Sequence, residues 1–371
     1  MKFSGHFLTA ALAASALLTP LATLDACTGI TLKAENGDYV FARTLEWGSS
    51  DFKSRVVIFP RGYEYSARVP KGMSGKSWKG IYGVAGIDMF ESGRYADAMN
   101  EKGLCAGLFY MPGFADYAKY DPAHPDRQIA PSDVVNYLLS TCANLDEARE
   151  ALTSKVEVTA IPEEMLGFPA PVHFILRDPS GKQLVVEWVD GKPVFFDGKL
   201  GVITNAPTYD WHLINLRNYL GMRLSPKPDV TLDGMKLAPL GVGSGFLGLP
   251  GDFTPPSRFI RAAVFDSTAR KTPDGGETLY EAFRILDNFN VPLGSSDGPK
   301  SEVPGLRSDT CWTIAYDVPR KSFYYHTQND RRVQMVDIAK IDFDKLDKMV
   351  ALRLDDGKQT ILDRTGEIGA K

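Results

Sequence analysis

The stretch CTGITLKAENGDYVFARTLEW, residues 27–47, constrains the fold more than any other part of the chain. Two β-rich runs, residues 28–32 and 39–43, flank Glu35-Asn36-Gly37-Asp38. Asn-Gly between such runs is a strong hairpin signal, because both residues tolerate the left-handed backbone of a tight turn. The spacing therefore predicts an antiparallel ribbon whose first strand begins beside Cys27.

Further along, residues 55–60, 95–99 and 104–110 read as strands, the last two joined by Asn100-Glu101-Lys102-Gly103. Residues 131–139 and 144–154 read as helices. In the second, Asn144 is the candidate cap and Leu145, Ala148 and Leu152 recur near helical spacing. VHFILRD, QLVVEWV and PVFFDG resume the strand pattern, and DWHLINLRNYLGM is helical before a Pro/Gly-rich segment running to Pro256. Residues 258–265 and 279–286 predict helices, and CWTIAYDV and KSFYYHTQ predict strands. Strands clustered in hairpins, with helices between the clusters, favour an α+β fold of antiparallel sheets covered by helices over a doubly wound parallel fold. With no internal repeat or low-complexity linker, residues 27–371 are expected to form one domain.

The first 26 residues differ from the rest. Lys2 precedes an apolar run at residues 7–18, interrupted only by Thr9 and Ser15; Pro20 follows, and Ala26 precedes Cys27. This is the layout of a secretory signal peptide, so the mature chain is expected to start at Cys27 and to be exported, to the periplasm or outside the cell. No later stretch reaches the roughly 18 uninterrupted apolar residues of a spanning helix. A net charge of −4 points to neither nucleic acid nor an anionic membrane surface. The four cysteines have no zinc-ligand spacing, and no metal or cofactor is expected. Cys105 and Cys142 lie in apolar contexts and read as packed core thiols. GSGFLG at residues 243–248 matches a dinucleotide fingerprint only formally, since prolines on both sides make it a loop. The histidines are scarce, and each reads as structural or exposed.

Cys27 stands apart, with four readings open: cleavage landmark, lipid anchor, half of a disulfide, or nucleophile. Leu24-Asp25-Ala26-Cys27 resembles a lipobox, which would make the protein a lipid-anchored binding protein. As the first residue of a mature chain, Cys27 instead carries its own base. An α-amine titrates near 7.7–8.0 and a thiol near 8.5, so the amine accepts the thiol proton near neutral pH without a histidine. Arg43 and Glu46, in ARTLEW at the end of the second strand, are placed to favour the thiolate and to orient the amine. An oxyanion also needs a fixed donor, such as an asparagine side chain or a backbone N–H.

CTGITL…ARTLEW, DAMNEKGLCAGLFY, GVITNAPTYDWHLINLRNY and GLGLPGDFTPPSRFIR occur in this order. Together they resemble the choloylglycine hydrolase family of conjugated bile acid hydrolases and penicillin V acylases, more closely the latter. The resemblance implies an N-terminal nucleophile hydrolase with an αββα four-layer sandwich, acting on a small-molecule linear amide without cofactor. By motif it assigns the nucleophile to Cys27, its neighbouring arginine to Arg43, the oxyanion-hole asparagine to Asn205 and a second active-site arginine to Arg258. Glu46 stands where the family usually has Asp. Phe109 and Tyr110 occupy the strand where bile salt hydrolases carry Asn and the acylases Tyr. Trp47 and apolar loops including Met89 and Phe90 are expected to hold the acyl group, be it phenoxyacetyl, bile acid or fatty acyl. N-acyl homoserine lactones are the alternative substrates. The segment after Trp211 resembles a region involved in tetramer assembly, so a homo-oligomer is expected.

Overall fold

The computed structural model describes residues 26–48, 52–164, 166–295 and 306–369. The proposed leader, residues 1–25, lies outside them. The predicted hairpin forms: β1 (Cys27–Lys33) pairs antiparallel with β2 (Tyr39–Glu46), with Cys27 opposite Leu45 and Gly29 opposite Arg43. Gly37 turns the chain at φ +94°, a conformation that costs glycine little, and the Asn36 side chain accepts from the Asp38 N–H. Every residue of β2 is buried, because helices and a second sheet cover its two faces.

Two antiparallel sheets make the middle of the molecule. The larger is built from β3 (Arg55–Phe59), β4 (Val84–Met89), β5 (Arg94–Asn100), β6 (Cys105–Tyr110), β7 (Val172–Arg177), β8 (Gln183–Val189), β9 (Lys192–Asp197) and β13 (Val350–Arg353). Its order is β9-β8-β7-β6-β5-β4-β3-β13. The smaller joins β1 and β2 to β10 (Thr310–Asp317), β11 (Ser322–Thr327) and β12 (Gln334–Asp337), in the order β1-β2-β10-β11-β12. Of the helices α1 (Val134–Thr141), α2 (Leu145–Glu150), α3 (Tyr209–Leu216), α4 (Pro255–Thr268) and α5 (Gly275–Leu286), α1 packs on β5 and β6, while α4 and α5 pack on the small sheet. The result is the expected αββα sandwich. Arg43, Trp312, Phe41, Phe109 and Phe174 are fully buried in its core.

Some local expectations shift. The helix predicted at residues 131–139 opens with a 3₁₀ turn, Pro131–Asp133, before α1. The one predicted at 144–154 is α-helical only over Leu145–Glu150 and widens into a π turn over Ala151–Lys155. Asn144 does cap it, accepting from the Glu147 N–H. The Ile87–Met89 segment, expected as a loop, is the end of β4. Its Asp88 breaks the apolar pattern because it is buried against Arg55, at 2.7 Å. All four cysteines are free and buried, so Cys27 is in no disulfide. GSGFLG lies in a 3₁₀ turn and loop and opens no α-helix.

Candidate active site

Backbone pairing brings Cys27 and Asn205 together. Gly29 and Ile203 form an antiparallel bridge with both hydrogen bonds made, at 2.8 and 3.1 Å. Two residues back along β1 is Cys27; two residues on from Ile203 is Asn205. Antiparallel register sets them opposite each other, and the Cys27 N–H donates to Asn205 Oδ1 at 2.8 Å. Only glycine permits this approach, since a Cβ on residue 29 would meet Ile203 Cγ2 at 2.8 Å and the Phe109 ring at 3.1 Å. His212 Nε2 meets the Asn205 carbonyl, and His173 bridges Glu187 and the Thr204 carbonyl, so both histidines brace this segment from behind.

Arg258 closes the group from the first turn of α4. Pro255 and Pro256 start that helix, and Asp252 accepts from the Thr254 N–H and the Thr254 and Ser257 hydroxyls. Arg258 thereby reaches β1: Nη1 donates to the Cys27 carbonyl at 2.5 Å and to Thr28 Oγ1 at 2.9 Å, and Nη2 to Asn205 Oδ1 at 2.6 Å. With Oδ1 taking two donors, the amide orientation of Asn205 is fixed. Its Nδ2 donates to the Tyr110 carbonyl at 2.7 Å and retains one further hydrogen.

Arg43 holds the thiol. Its Nη2 lies 2.8 Å from Cys27 Sγ, while Nη1 donates to the carbonyls of Leu108 and Ala96 and Nε to that of Thr44. Phe109 packs 4.2 Å beneath the guanidinium. Burial pushes the Cys27 thiol above its ordinary value; the Arg43 charge pulls it down, Glu46 pushes it up and Arg258 pulls it down. Glu46 ends β2 opposite a bulge in β10, where the register slips between Thr310 and Trp312. That bulge brings the Thr310 hydroxyl to Glu46 Oε1 at 3.0 Å, whereas buried Oε2 has no hydrogen-bond partner among the described residues. Burial raises the Glu46 carboxyl to about 7 against the pull of Arg258. The five polar residues singled out in sequence are thus one contiguous cluster.

Beside it opens a pocket of about 770 Å³ lined by Cys27 and Glu46. Trp47, Phe52 and Phe90 form an aromatic cluster on its wall, with ring centroids 4.4 to 5.6 Å apart. Met89 and Tyr110 line it too, as expected, whereas Phe109 does not. Successive side chains of β6 point to opposite faces: Leu108 and Tyr110 face the pocket, and Phe109 lies under Arg43. The structure adds residues that sequence reasoning missed. Asp97 approaches Arg43 Nη1 to 3.6 Å, in space that exists because β6 has Gly107 opposite; a Cβ there would sit 2.2 Å from Asp97 Oδ2. Burial lifts the Asp97 carboxyl to about 7, Arg43 and Arg177 opposing it. An aspartate inside the apolar run YADAM was the available signal. Among the described residues no cluster of His, Cys, Asp and Glu is arranged to hold a metal.

The sequence profile of the linear amide C–N hydrolases, choloylglycine hydrolase family, matches residues 27–351. The bile salt hydrolase/transferase of Clostridium perfringens is 32% identical over 86% of this chain and 94% of its own length. The conjugated bile acid hydrolase of Lactobacillus gasseri is 31% identical, over 86% and 99%. The penicillin V acylase of Pectobacterium atrosepticum is 26% identical, over 90% and 86%. Among solved structures, a crystal structure of a variant of the Clostridium perfringens conjugated bile acid hydrolase superposes with a TM-score of 0.78 at 29% identity, covering 91% of this chain and 99% of that one.

Proposed function

The chain belongs to the choloylglycine hydrolase family of linear amide C–N hydrolases, and we propose that it acts through Cys27 as an N-terminal nucleophile on an N-acyl amide such as penicillin V or a conjugated bile salt. The observation that carries this reading is the junction of residues 26 and 27. The Ala26 carbonyl accepts from the Glu46 N–H at 2.8 Å, and the Cys27 N–H is held by Asn205. Cutting that peptide bond leaves an α-amine where the Cys27 N–H now sits. It also supplies a cation in reach of Glu46, whose buried Oε2 lacks a partner among the described residues. Glutamate takes the part the family gives to aspartate.

In the mature chain the Cys27 thiol gives its proton to its own α-amine, and the thiolate, held by Arg43, attacks the acyl carbon. The remaining Asn205 Nδ2 hydrogen and a backbone N–H at the end of β6 receive the oxyanion. Collapse of the tetrahedral intermediate breaks the C–N bond as the α-amine protonates the leaving amine, forming a thioester. Water then hydrolyses it by the same route in reverse, the α-amine taking its proton. The aromatic wall beside Cys27 holds the acyl group. Burial of Cys27 in β1 weighs against the lipid-anchor alternative.

Export follows from the composition of residues 1–26. No helix among the described residues is long and apolar enough to cross a membrane. Assembly with further copies is supported by the apolar side chains exposed between residues 211 and 247, among them Ile214, Leu220 and Leu240, the last 99% exposed.

The test is intact mass of the exported protein together with hydrolysis of penicillin V, a glycine-conjugated bile salt and an N-acyl homoserine lactone. A chain starting at an unmodified Cys27 is expected, with at least one substrate cleaved and activity lost in Cys27→Ser. Turnover surviving in Cys27→Ser would sink the mechanism.

A further inference from the structure

A second polar group lies behind Arg43, between the two sheets. Asp97 of β5 enters it from the large sheet and faces Arg43 of β2 and Tyr316 of β10 in the small sheet. Arg177 bears on the same carboxyl from β7, and Cys105 from β6. All five residues are fully buried. Burial pushes the Cys105 thiol and the Tyr316 hydroxyl well above their ordinary values, so both are neutral near pH 7. The group therefore sets one carboxyl against two guanidiniums.

Neither Oδ1 nor Oδ2 of Asp97 has a hydrogen-bond partner among the described residues, and Arg43 Nη1, at 3.6 Å, is an ion-pair contact too long to be one. Both hydrogens of that Nη1 are already engaged by the carbonyls of Leu108 and Ala96, at 2.8 and 3.3 Å. Nε donates to the Thr44 carbonyl. Backbone of both sheets thus anchors Arg43 without help from Asp97, whose contribution is charge. Burying a carboxylate that makes no hydrogen bond is costly. The fold nevertheless clears room for it with Gly107, where a Cβ would stand 2.2 Å from Asp97 Oδ2.

Resting on the reading of Cys27 as the nucleophile, we propose that Asp97 tunes it through Arg43. The carboxylate draws on one end of the guanidinium while the Cys27 sulfur, 2.8 Å from Nη2, holds the other, which limits how tightly the arginine stabilises the thiolate. Arg258 favours the thiolate as Arg43 does, and Glu46 opposes both. Two cations bearing on one sulfur make a stable thiolate but a weak nucleophile, because nucleophilicity falls with proton affinity. A counter-charge behind Arg43 keeps the sulfur reactive. Burial lifts the Asp97 carboxyl to about 7 against the pull of Arg43, so it is charged above that pH, where the thiol, also raised by burial, titrates.

The test is the pH profile of iodoacetamide alkylation in the chain starting at Cys27, with the Cys27→Ser form of each variant as the blank. In Asp97→Asn, which keeps the shape and removes the charge, the Cys27 pKa should fall by about one unit. The plateau rate above that pKa should fall about threefold. If Asp97 only braced Arg43, its loss would loosen the cation and the pKa would rise. A rise, or a change of less than about 0.3 unit, overturns the proposal. Asp97→Leu, of similar size, removes the charge without adding an amide and should lower the pKa likewise. If circular dichroism shows neither variant folded, Asp97 belongs to the fold and the proposal is equally overturned. Hydrolysis of penicillin V, a glycine-conjugated bile salt and an N-acyl homoserine lactone by the unsubstituted chain tests the nucleophile reading separately. Failure on all three would remove that reading whatever the alkylation profile shows, since alkylation needs only a reactive thiol.

Discussion

Replacing Arg43 by glutamine removes the cation 2.8 Å from Cys27 Sγ while keeping one donor group on the side chain. A hydrogen bond to a charged group is worth about 1.5–3 kcal/mol, and one pKa unit corresponds to about 1.4 kcal/mol. The thiol pKa should therefore rise by about one to two units, because burial already pushes it up and Arg43 is the largest opposing influence. Below both values the thiolate fraction falls about 10- to 100-fold. The assay is the pH dependence of iodoacetamide alkylation in the mature protein. Cys105, Cys142 and Cys311 are buried, and a Cys27→Ser sample supplies the blank. The substitution also strips donors from three carbonyls and leaves Asp97 without its guanidinium partner, so a loss of about 3–5 kcal/mol in stability is expected. Alkylation is accordingly read where circular dichroism shows the variant folded. An alkylation pKa that moves by less than about half a unit in the folded variant would refute the argument.

Three further outcomes can be checked. Asn205→Ala should lower kcat by about 10²–10³ with a smaller change in KM, because its free Nδ2 hydrogen serves the oxyanion; steady-state kinetics on the cleaved substrate decides it. Gly29→Ala should cost about 1–3 kcal/mol and depress kcat, since the new methyl presses on Ile203 and displaces Asn205 from Cys27; urea denaturation and kinetics read the two effects. In Cys27→Ala protein retaining Ala26, Glu46 titrates near 7 instead of the ordinary 4.5. The folded state then binds the proton more tightly, so this contribution is fully present below about pH 4.5 and is lost as pH rises through 7, worth about 3 kcal/mol in all. Glu46→Gln should flatten the fall in stability between about pH 5 and 7.5, leaving the share that Asp97 and Asp266, also near 7, contribute; an unchanged slope would show that Glu46 is not the group responsible.

The sequence determined what depends on neighbours along the chain. Asn36-Gly37 fixed the hairpin because the turn between Ala34 and Asp38 requires one left-handed residue, which Gly37 supplies at φ +94°, and Pro255-Pro256 after Asp252 started the helix that carries Arg258. Motif resemblance named the polar cluster, since Cys27, Arg43, Asn205 and Arg258 each lie in a recognisable string. Tertiary structure alone decided which of those residues touch, and through which atoms. Gly29 meeting Ile203 sets Asn205 across from Cys27, a pairing separated by 178 residues that no local pattern encodes. The side of β6 that faces the pocket was equally illegible: Phe109 and Tyr110 are both large and apolar, and only the packing of Phe109 beneath Arg43 sends Tyr110 outward. Asp97 went unread for a related reason. Burial between the two sheets raises the Asp97 carboxyl while Arg43 of the facing sheet opposes it, so its role exists only once folding has brought both.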